Sequence, residues 1–192
     1  MAHSPAAQTL HVVSYAGSIR TGSINNAVLD FALKDIEAAG DTLIDRIDLA
    51  SYPLPLYNAD DQNAYGIPDA VWRLKERIDP AHAVLIASPE YNGGYTPLFK
   101  NTLDWLTRTD KTLFQGSNIG LITASGGRMG GANGARQMAE LFGHMHVHVH
   151  DPTLSIPHAP DHLETGEIPG LESWVADYLT ASRSFLDAAT ST

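Results

Sequence analysis

The chain has no cysteine. Disulfides, thiolate nucleophiles and cysteine-ligated metal or iron–sulfur centres are therefore excluded. Cations are scarce: 12 Lys and Arg face 22 Asp and Glu, a net charge of −10 with His neutral. A surface that acidic repels nucleic acid, which argues against DNA or RNA as a partner. No apolar run is long enough for a bilayer-spanning helix, so no membrane partner is expected. Residues 1–8 lack the charged start and apolar centre of a secretory signal, and read as a short disordered arm. A cytoplasmic location is the corresponding expectation.

What is present is the composition of a folded domain, with 43% hydrophobic and 18% charged residues in 192. One domain of this size buries a sizeable core. Apolar, β-rich runs alternate with amphipathic helical runs. Strands are expected at residues 10–16, 42–47, 83–87, 119–123 and 144–150. Helices are expected at residues 25–39, 98–107, 132–142 and 171–188, with another opening at Pro68. Its stripe of Ile67, Val71, Leu74 and Ile78 has core-facing spacing. Residues 48–66, rich in Pro, Tyr and Asp, read as a loop. Gly40 is placed to cap the first helix. Five β/α units with right-handed crossovers make a three-layer α/β/α domain with a parallel sheet ordered 2-1-3-4-5. Ligands bind such sheets beyond the carboxyl ends of the strands, where strand order reverses.

Three unusual loops follow strands one, three and four. The first is Gly17-Ser18-Ile19-Arg20-Thr21-Gly22-Ser23-Ile24-Asn25. Between a strand and a helix start it forms an anion site. Arg20 offers a charge-assisted fork, and Ser18, Ser23 and the Asn25 amide complete a cradle for a phosphate dianion. The second runs Ser88-Pro89-Glu90-Tyr91-Asn92-Gly93-Gly94-Tyr95-Thr96-Pro97, aromatics and an amide beside two glycines. The third, Ala124-Ser125-Gly126-Gly127-Arg128-Met129-Gly130-Gly131, lets backbone donors approach a flat ring closely. Each loop alone is ordinary turn punctuation. Together they describe a site for a mononucleotide, with FMN the best fit.

These residues resemble the NAD(P)H-dependent FMN reductases of flavodoxin-like fold, a family that includes quinone, azo-dye and chromate reductases. The family's G-S-x-R-x-x-S-x-N is matched by residues 17–25 at every fixed position. Its P-E-Y-N is matched by Pro89, Glu90, Tyr91 and Asn92, and its K-N-x-x-D-W by Lys100, Asn101, Asp104 and Trp105. Its third Gly-rich turn is matched at Ser125, Gly126, Gly130 and Gly131. Thr96-Pro97 departs from the Pro-Gly that many members carry, which bears on substrate choice.

The resemblance implies FMN as cofactor and NADPH or NADH as co-substrate. Ser18, Arg20, Ser23 and Asn25 would hold the phosphate. Pro89, Glu90, Tyr91, Asn92 and Gly93 would line the ring, with Ser125 and Gly126 at its other edge. Lys100, Asn101, Asp104 and Trp105 read as structural. The flavin would carry hydride to a small acceptor (a quinone, flavin, azo compound or metal oxyanion) in a ping-pong cycle needing no side-chain nucleophile or metal. A flavodoxin-type electron carrier without NAD(P)H turnover is the alternative, and a non-enzymatic nucleotide-binding module a third reading. A homodimer or homotetramer is implied, with residues 52–65 as candidate interface.

His144, His146, His148 and His150 would share one face of the fifth strand. An edge strand or subunit contact explains them better than a metal site, because strand spacing rarely converges imidazoles on one ion without a further ligand. Asp151 and His158 are the available extra ligands. Arg128 is either a contact for the nicotinamide cofactor's phosphates or a solvated loop residue.

Overall fold

The computed structural model describes residues 8–190, so most of the expected N-terminal arm lies outside the described residues. The sheet is parallel throughout and ordered β2-β1-β3-β4-β5. Its strands are β1 (Leu10–Ala16), β2 (Thr42–Ile47), β3 (Ala83–Ala87), β4 (Asn118–Ala124) and β5 (Leu154–Ile156). Strand residues alternate between two cores, as a period of two requires. Val13, Tyr15, Val84, Ile86, Ile119 and Leu121 face one helical layer. Val12, Ala16, Ala83, Leu85, Ala87, Ile122 and Ala124 face the other. Burial on both faces explains why the central strands read as unbroken apolar runs.

One layer contains α3 (Asp69–Ile78), α4 (Pro97–Thr109) and α5 (Ala132–His144). Val71, Leu74 and Ile78 of the expected stripe are buried there, and Ile67 packs beside them. The opposite layer is formed by α1 (Ile24–Ala39), α6 (Ala159–Thr165) and α7 (Leu171–Thr190). Gly40 closes α1 with a positive φ of 71°. Gly120 in the middle of β4 permits a close approach of helix to sheet. A Cβ there would lie 2.8 Å from the ring of Tyr178 on α7 and 3.0 Å from Leu85.

Residues 48–66 are not simply a loop. They hold a short 3-10 turn at Leu49–Ser51 and α2 (Ala59–Tyr65). Helix α2 buries no residue, so hydrophobic periodicity could not reveal it. Its ends were nevertheless marked: Asn58 accepts the Asp60 N–H, and Gly66 closes the helix at φ 82°.

The fifth strand is displaced from its expected place. Residues 144–150 do not form a strand. Helix α5 continues to His144 and ends in a Schellman closure: His146 takes φ 58°, its N–H bonds Gly143 O at 3.0 Å, and Val147 N–H bonds Phe142 O at 3.0 Å. Only Val149 bridges to Ile119. Past Pro152 the chain pairs Leu154, Ser155 and Ile156 with Ile122, Thr123 and Ala124. The alternating His/Val pattern mimicked a half-buried strand, whereas Phe142 and Val147 are both buried in the same core.

Displacement of the strand scatters the four histidines. His144 and His146 are exposed, His148 stacks on Phe185 at 5.3 Å, and His150 is buried edge-on to Trp174 and Tyr178. Among the described residues no group of three or more His, Asp or Glu side chains could hold a metal ion.

Candidate functional site

Beyond the carboxyl ends of β1, β3 and β4 the three loops meet in one crevice. Ser18, Arg20, Ser23, Ile24, Asn25, Pro89, Tyr91, Ala124, Ser125 and Gly126 line a cavity of about 180 Å³. An adjoining hollow of about 340 Å³, lined by Gly17, Ile19, Thr96, Pro97 and Leu98, shares Ser18, Arg20 and Tyr91 with it. Joined cavities of these sizes fall within the range of small-molecule sites, about 300–1,000 Å³.

The first loop is positioned by its glycine. Gly17 N–H donates to Ala87 O at 2.8 Å, and a Cβ at Gly17 would sit 2.4 Å from Ser88 Oγ. Only glycine lets β1 and β3 end this close together. The Gly17 carbonyl accepts from Thr96 Oγ1 at 2.8 Å, and that hydroxyl also caps α4 by accepting Phe99 N–H at 3.1 Å. One hydroxyl thus joins the first loop to the second. Thr96-Pro97 is accordingly an N-cap followed by a proline at the first helical turn.

Ser23 caps α1, with its Oγ accepting Asn26 N–H at 3.4 Å. The backbone N–H groups of Ile19, Thr21, Gly22, Ile24 and Asn25 have no hydrogen-bond acceptor among the described residues. Arg20 folds back over its own loop, donating to Thr21 O at 3.1 Å and Gly22 O at 2.8 Å. The first loop therefore brings to the crevice free helix-start donors, the Ser18 and Ser23 hydroxyls and one guanidinium, and none of the lining residues is acidic. On a chain of net charge −10 that local exception suits a dianion. The donor set fits the phosphate of FMN.

Asn25 lines the crevice, but its side chain is committed elsewhere. Nδ2 donates to Ala124 O at 2.9 Å, and Ala124 N–H donates to Oδ1 at 3.0 Å, both in buried surroundings. The amide clamps the start of α1 to the end of β4. What Asn25 leaves for an anion is its backbone N–H.

Of the second loop, Pro89 and Tyr91 reach the crevice, and Tyr91 is 49% exposed there. Glu90, Asn92 and Gly93 do not line it. The Glu90 carboxylate accepts Gly134 N–H at 2.9 Å, capping α5, whose own N-cap Gly131 has no side chain to do so. Asn92 (φ 51°) and Gly93 (φ 81°) are the two central residues of a tight hairpin closed by Tyr91 N–H to Gly94 O at 2.9 Å. Positive φ at both is the type I′ signature of an Asn-Gly pair. Gln137 of α5 donates to Gly93 O at 2.6 Å and fixes this turn.

Ser125 and Gly126 flank the crevice from the third loop. Ser125 Oγ accepts Gly127 N–H at 3.2 Å. Gly130 and Gly131 serve close packing, since a Cβ on either would lie within 2.8 Å of Ile156 backbone or Thr123. Arg128 and Met129 stay exposed at the rim. Behind the second loop, Asn101 Nδ2 and Trp105 Nε1 both donate to Pro55 O, at 2.9 and 2.8 Å, and Lys100 pairs with Asp104. Asn101 and Trp105 thus hold residues 48–58 against α4, while Lys100 and Asp104 pair with each other one turn apart on α4. Thr96, noted in the sequence only as a departure from the family pattern, shapes the site together with Asn26 and Gln137, which the sequence reading did not single out. Only Thr96 carried a signal, as a capping residue before proline.

A doubly wound sheet of order 2-1-3-4-5, with a crevice of free backbone donors at its switch point, defines a flavodoxin-like protein. The chain belongs to the NADPH-dependent FMN reductase family, whose model matches residues 10–161. It is 34% identical to an NAD(P)H-dependent FMN reductase of Pseudomonas aeruginosa over 72% of either chain. It is 36% identical to a quinone reductase of Escherichia coli over 65% of either chain. Among solved structures it is similar to a flavoenzyme NAD(P)H:(acceptor) oxidoreductase from Paracoccus denitrificans. That likeness has a TM-score of 0.75 and 26% identity, covering 93% of this chain and 98% of that one. A flavodoxin from Pseudomonas aeruginosa (TM-score 0.52, 19% identity, 93% and 99% covered) shares the fold alone.

Proposed function

We propose that the chain is an FMN-dependent oxidoreductase that takes hydride from NADPH or NADH and passes electrons to a small acceptor, a quinone among them. The observation that carries this reading is the phosphate-sized crevice. It offers free N–H groups at the start of α1, Arg20, Ser18 and Ser23, and no acidic wall. Family membership and the names of the relatives support it.

Bound in the crevice, FMN would supply hydride acceptance and electron release in two alternating half-reactions. The protein binds and orients. Ser18, Ser23, Arg20 and the N–H groups of Ile24 and Asn25 would hold the phosphate. Pro89, Tyr91, Ser125 and Gly126 would border the ring, and the Asn25–Ala124 clamp sets the distance between these two groups. The exposed Leu56 (80%), Tyr65 (86%) and Trp72 (44%) support a subunit contact, and with it a homo-oligomer. No helix among the described residues is long and apolar enough to cross a membrane, and a cytoplasmic location remains part of the proposal.

Titration of the flavin-free protein with FMN tests the site. Arg20→Ala should weaken FMN binding at least tenfold while leaving the thermal midpoint within a few degrees. The guanidinium is exposed and bonds only its own loop. Unchanged FMN affinity in Arg20→Ala would remove the phosphate assignment.

A further inference from the structure

Behind the first loop runs a chain of hydrogen bonds that the loop's own motif does not include. Asn26 uses three groups. Its Nδ2 donates to Ser18 O at 2.9 Å, its N–H donates to Ser23 Oγ at 3.4 Å, and its Oδ1 accepts from Arg46 Nη2 at 2.8 Å. Asn26 therefore holds both ends of the loop, Ser18 through its side-chain amide and Ser23 through its backbone N–H.

Arg46 stands on β2, opposite Ser14 of β1. Its Nε pairs with Asp30 at 2.9 Å, and its Nη1 donates to Ile47 O at 3.2 Å. Asp30 lies one turn beyond Asn26 on the same face of α1. The Arg46 carbonyl accepts in turn from Arg77 of α3, which is paired with Asp45 and bonded to Tyr52. The Ser18 carbonyl is thus connected through Asn26 and Arg46 to α1, β2 and α3.

The consequence is geometric. A trans peptide directs its C=O and the following N–H to opposite sides. Holding the Ser18 carbonyl on Asn26 keeps that oxygen occupied and turns the Ile19 N–H the other way, where it has no acceptor among the described residues. A free Ser18 carbonyl would be able to rotate toward a bound anion and repel it. The charge of Arg46 is matched by Asp30, so the pair adds little net field at the loop, and its effect there is orientation. A loop ordered beforehand loses less freedom on binding.

We propose that Asn26 and Arg46 are positioning residues that set the crevice's preference for a phosphorylated flavin over its dephosphorylated form. This rests on the FMN reading above. A residue that merely braced the fold would affect binding of both flavins alike.

The test compares FMN and riboflavin binding to the flavin-free full-length chain, read by quenching of flavin fluorescence. The variants are Asn26→Leu, Asn26→Ser and Arg46→Lys, each checked by circular dichroism. The wild type should prefer FMN. Asn26→Leu should weaken FMN binding about tenfold, the effect of one lost hydrogen bond, and leave riboflavin binding unchanged. Arg46→Lys keeps the charge but cannot reach Asn26 and Asp30 together, and should reduce the FMN preference in the same direction. If Asn26→Leu fails to fold, Asn26→Ser and Arg46→Lys carry the comparison. A parallel loss of both flavins, or an intact FMN preference in folded variants, overturns the proposal. A wild type that does not distinguish FMN from riboflavin overturns the phosphate reading itself.

Discussion

Asn25 and Ala124 exchange two hydrogen bonds, side-chain amide to backbone, 99 residues apart in sequence. The pair pins the first turn of α1 to the last residue of β4, so the first and third loops hold one fixed spacing. Its partners are two backbone groups at the end of a central strand, shut off from water.

Asn25→Leu should therefore be costly. It leaves Ala124 N–H and C=O buried without partners, and the loss should be on the order of 2–4 kcal/mol. Thermal unfolding of the two proteins measures it. FMN affinity should fall too, because the crevice loses its spacing. A variant of unchanged stability would show that solvent reaches Ala124.

Gly120→Ala tests the packing of α7 on the sheet. The added methyl would lie 2.8 Å from the Tyr178 ring and 3.0 Å from Leu85, both in the buried core. Overpacking of this kind destabilises by about 1–3 kcal/mol. Tyr178→Phe keeps the ring but not its hydroxyl, which donates to Asn118 O at 3.3 Å, so it should relieve none of the clash. Urea unfolding of the single and double variants checks both statements.

His150 predicts a pH dependence of stability. Burial pushes its imidazole below the ordinary histidine value of 6.5. Neighbouring His148 adds to that shift, and Asp177 and Asp151 oppose it. Its Nε2 is buried without a partner and the ring packs against Trp174 and Tyr178. With the folded pKa lowered, the unfolded chain binds more protons once pH falls below about 6.5. Stability contributed by the neutral ring is full above that pH and is lost as the solution is acidified. His150→Phe should flatten the part of the acid limb that this residue supplies, leaving the part from His82, whose value burial also lowers. Thermal midpoints between pH 7.5 and about 5 measure the slope. An equally steep limb in the variant would contradict the assignment.

Most of the framework was legible because the physics was local. Residues 83–87 are apolar at every position, as a short strand buried on both faces requires, and the structure places β3 there. The first loop announced itself through a glycine, two serines and an arginine between strand and helix. Residues 144–150 misled because His/Val alternation satisfies the strand pattern, while the Schellman closure at His146 depends on Phe142 and Val147 meeting in the core. Glu90, Asn92 and Gly93 were recognisable as a motif, yet their separation from the crevice was not. The Glu90 bond to Gly134 spans 44 residues, and the Asn-Gly turn signal competed with a reading of the same residues as ring contacts. Asn26 and Arg46 had no local signal, since their partnership exists only once β2 lies beside β1.

The central claim is a flavin in the crevice that NAD(P)H reduces. The most direct measurement is the visible absorption spectrum of the protein loaded with FMN, followed under anaerobic addition of NADPH and then NADH. Bleaching of the flavin bands by at least one nucleotide, with colour restored by a quinone, is the predicted result. Bands that persist with both nucleotides yet bleach with dithionite would contradict it and leave an electron carrier, and failure to retain FMN at all would contradict the site.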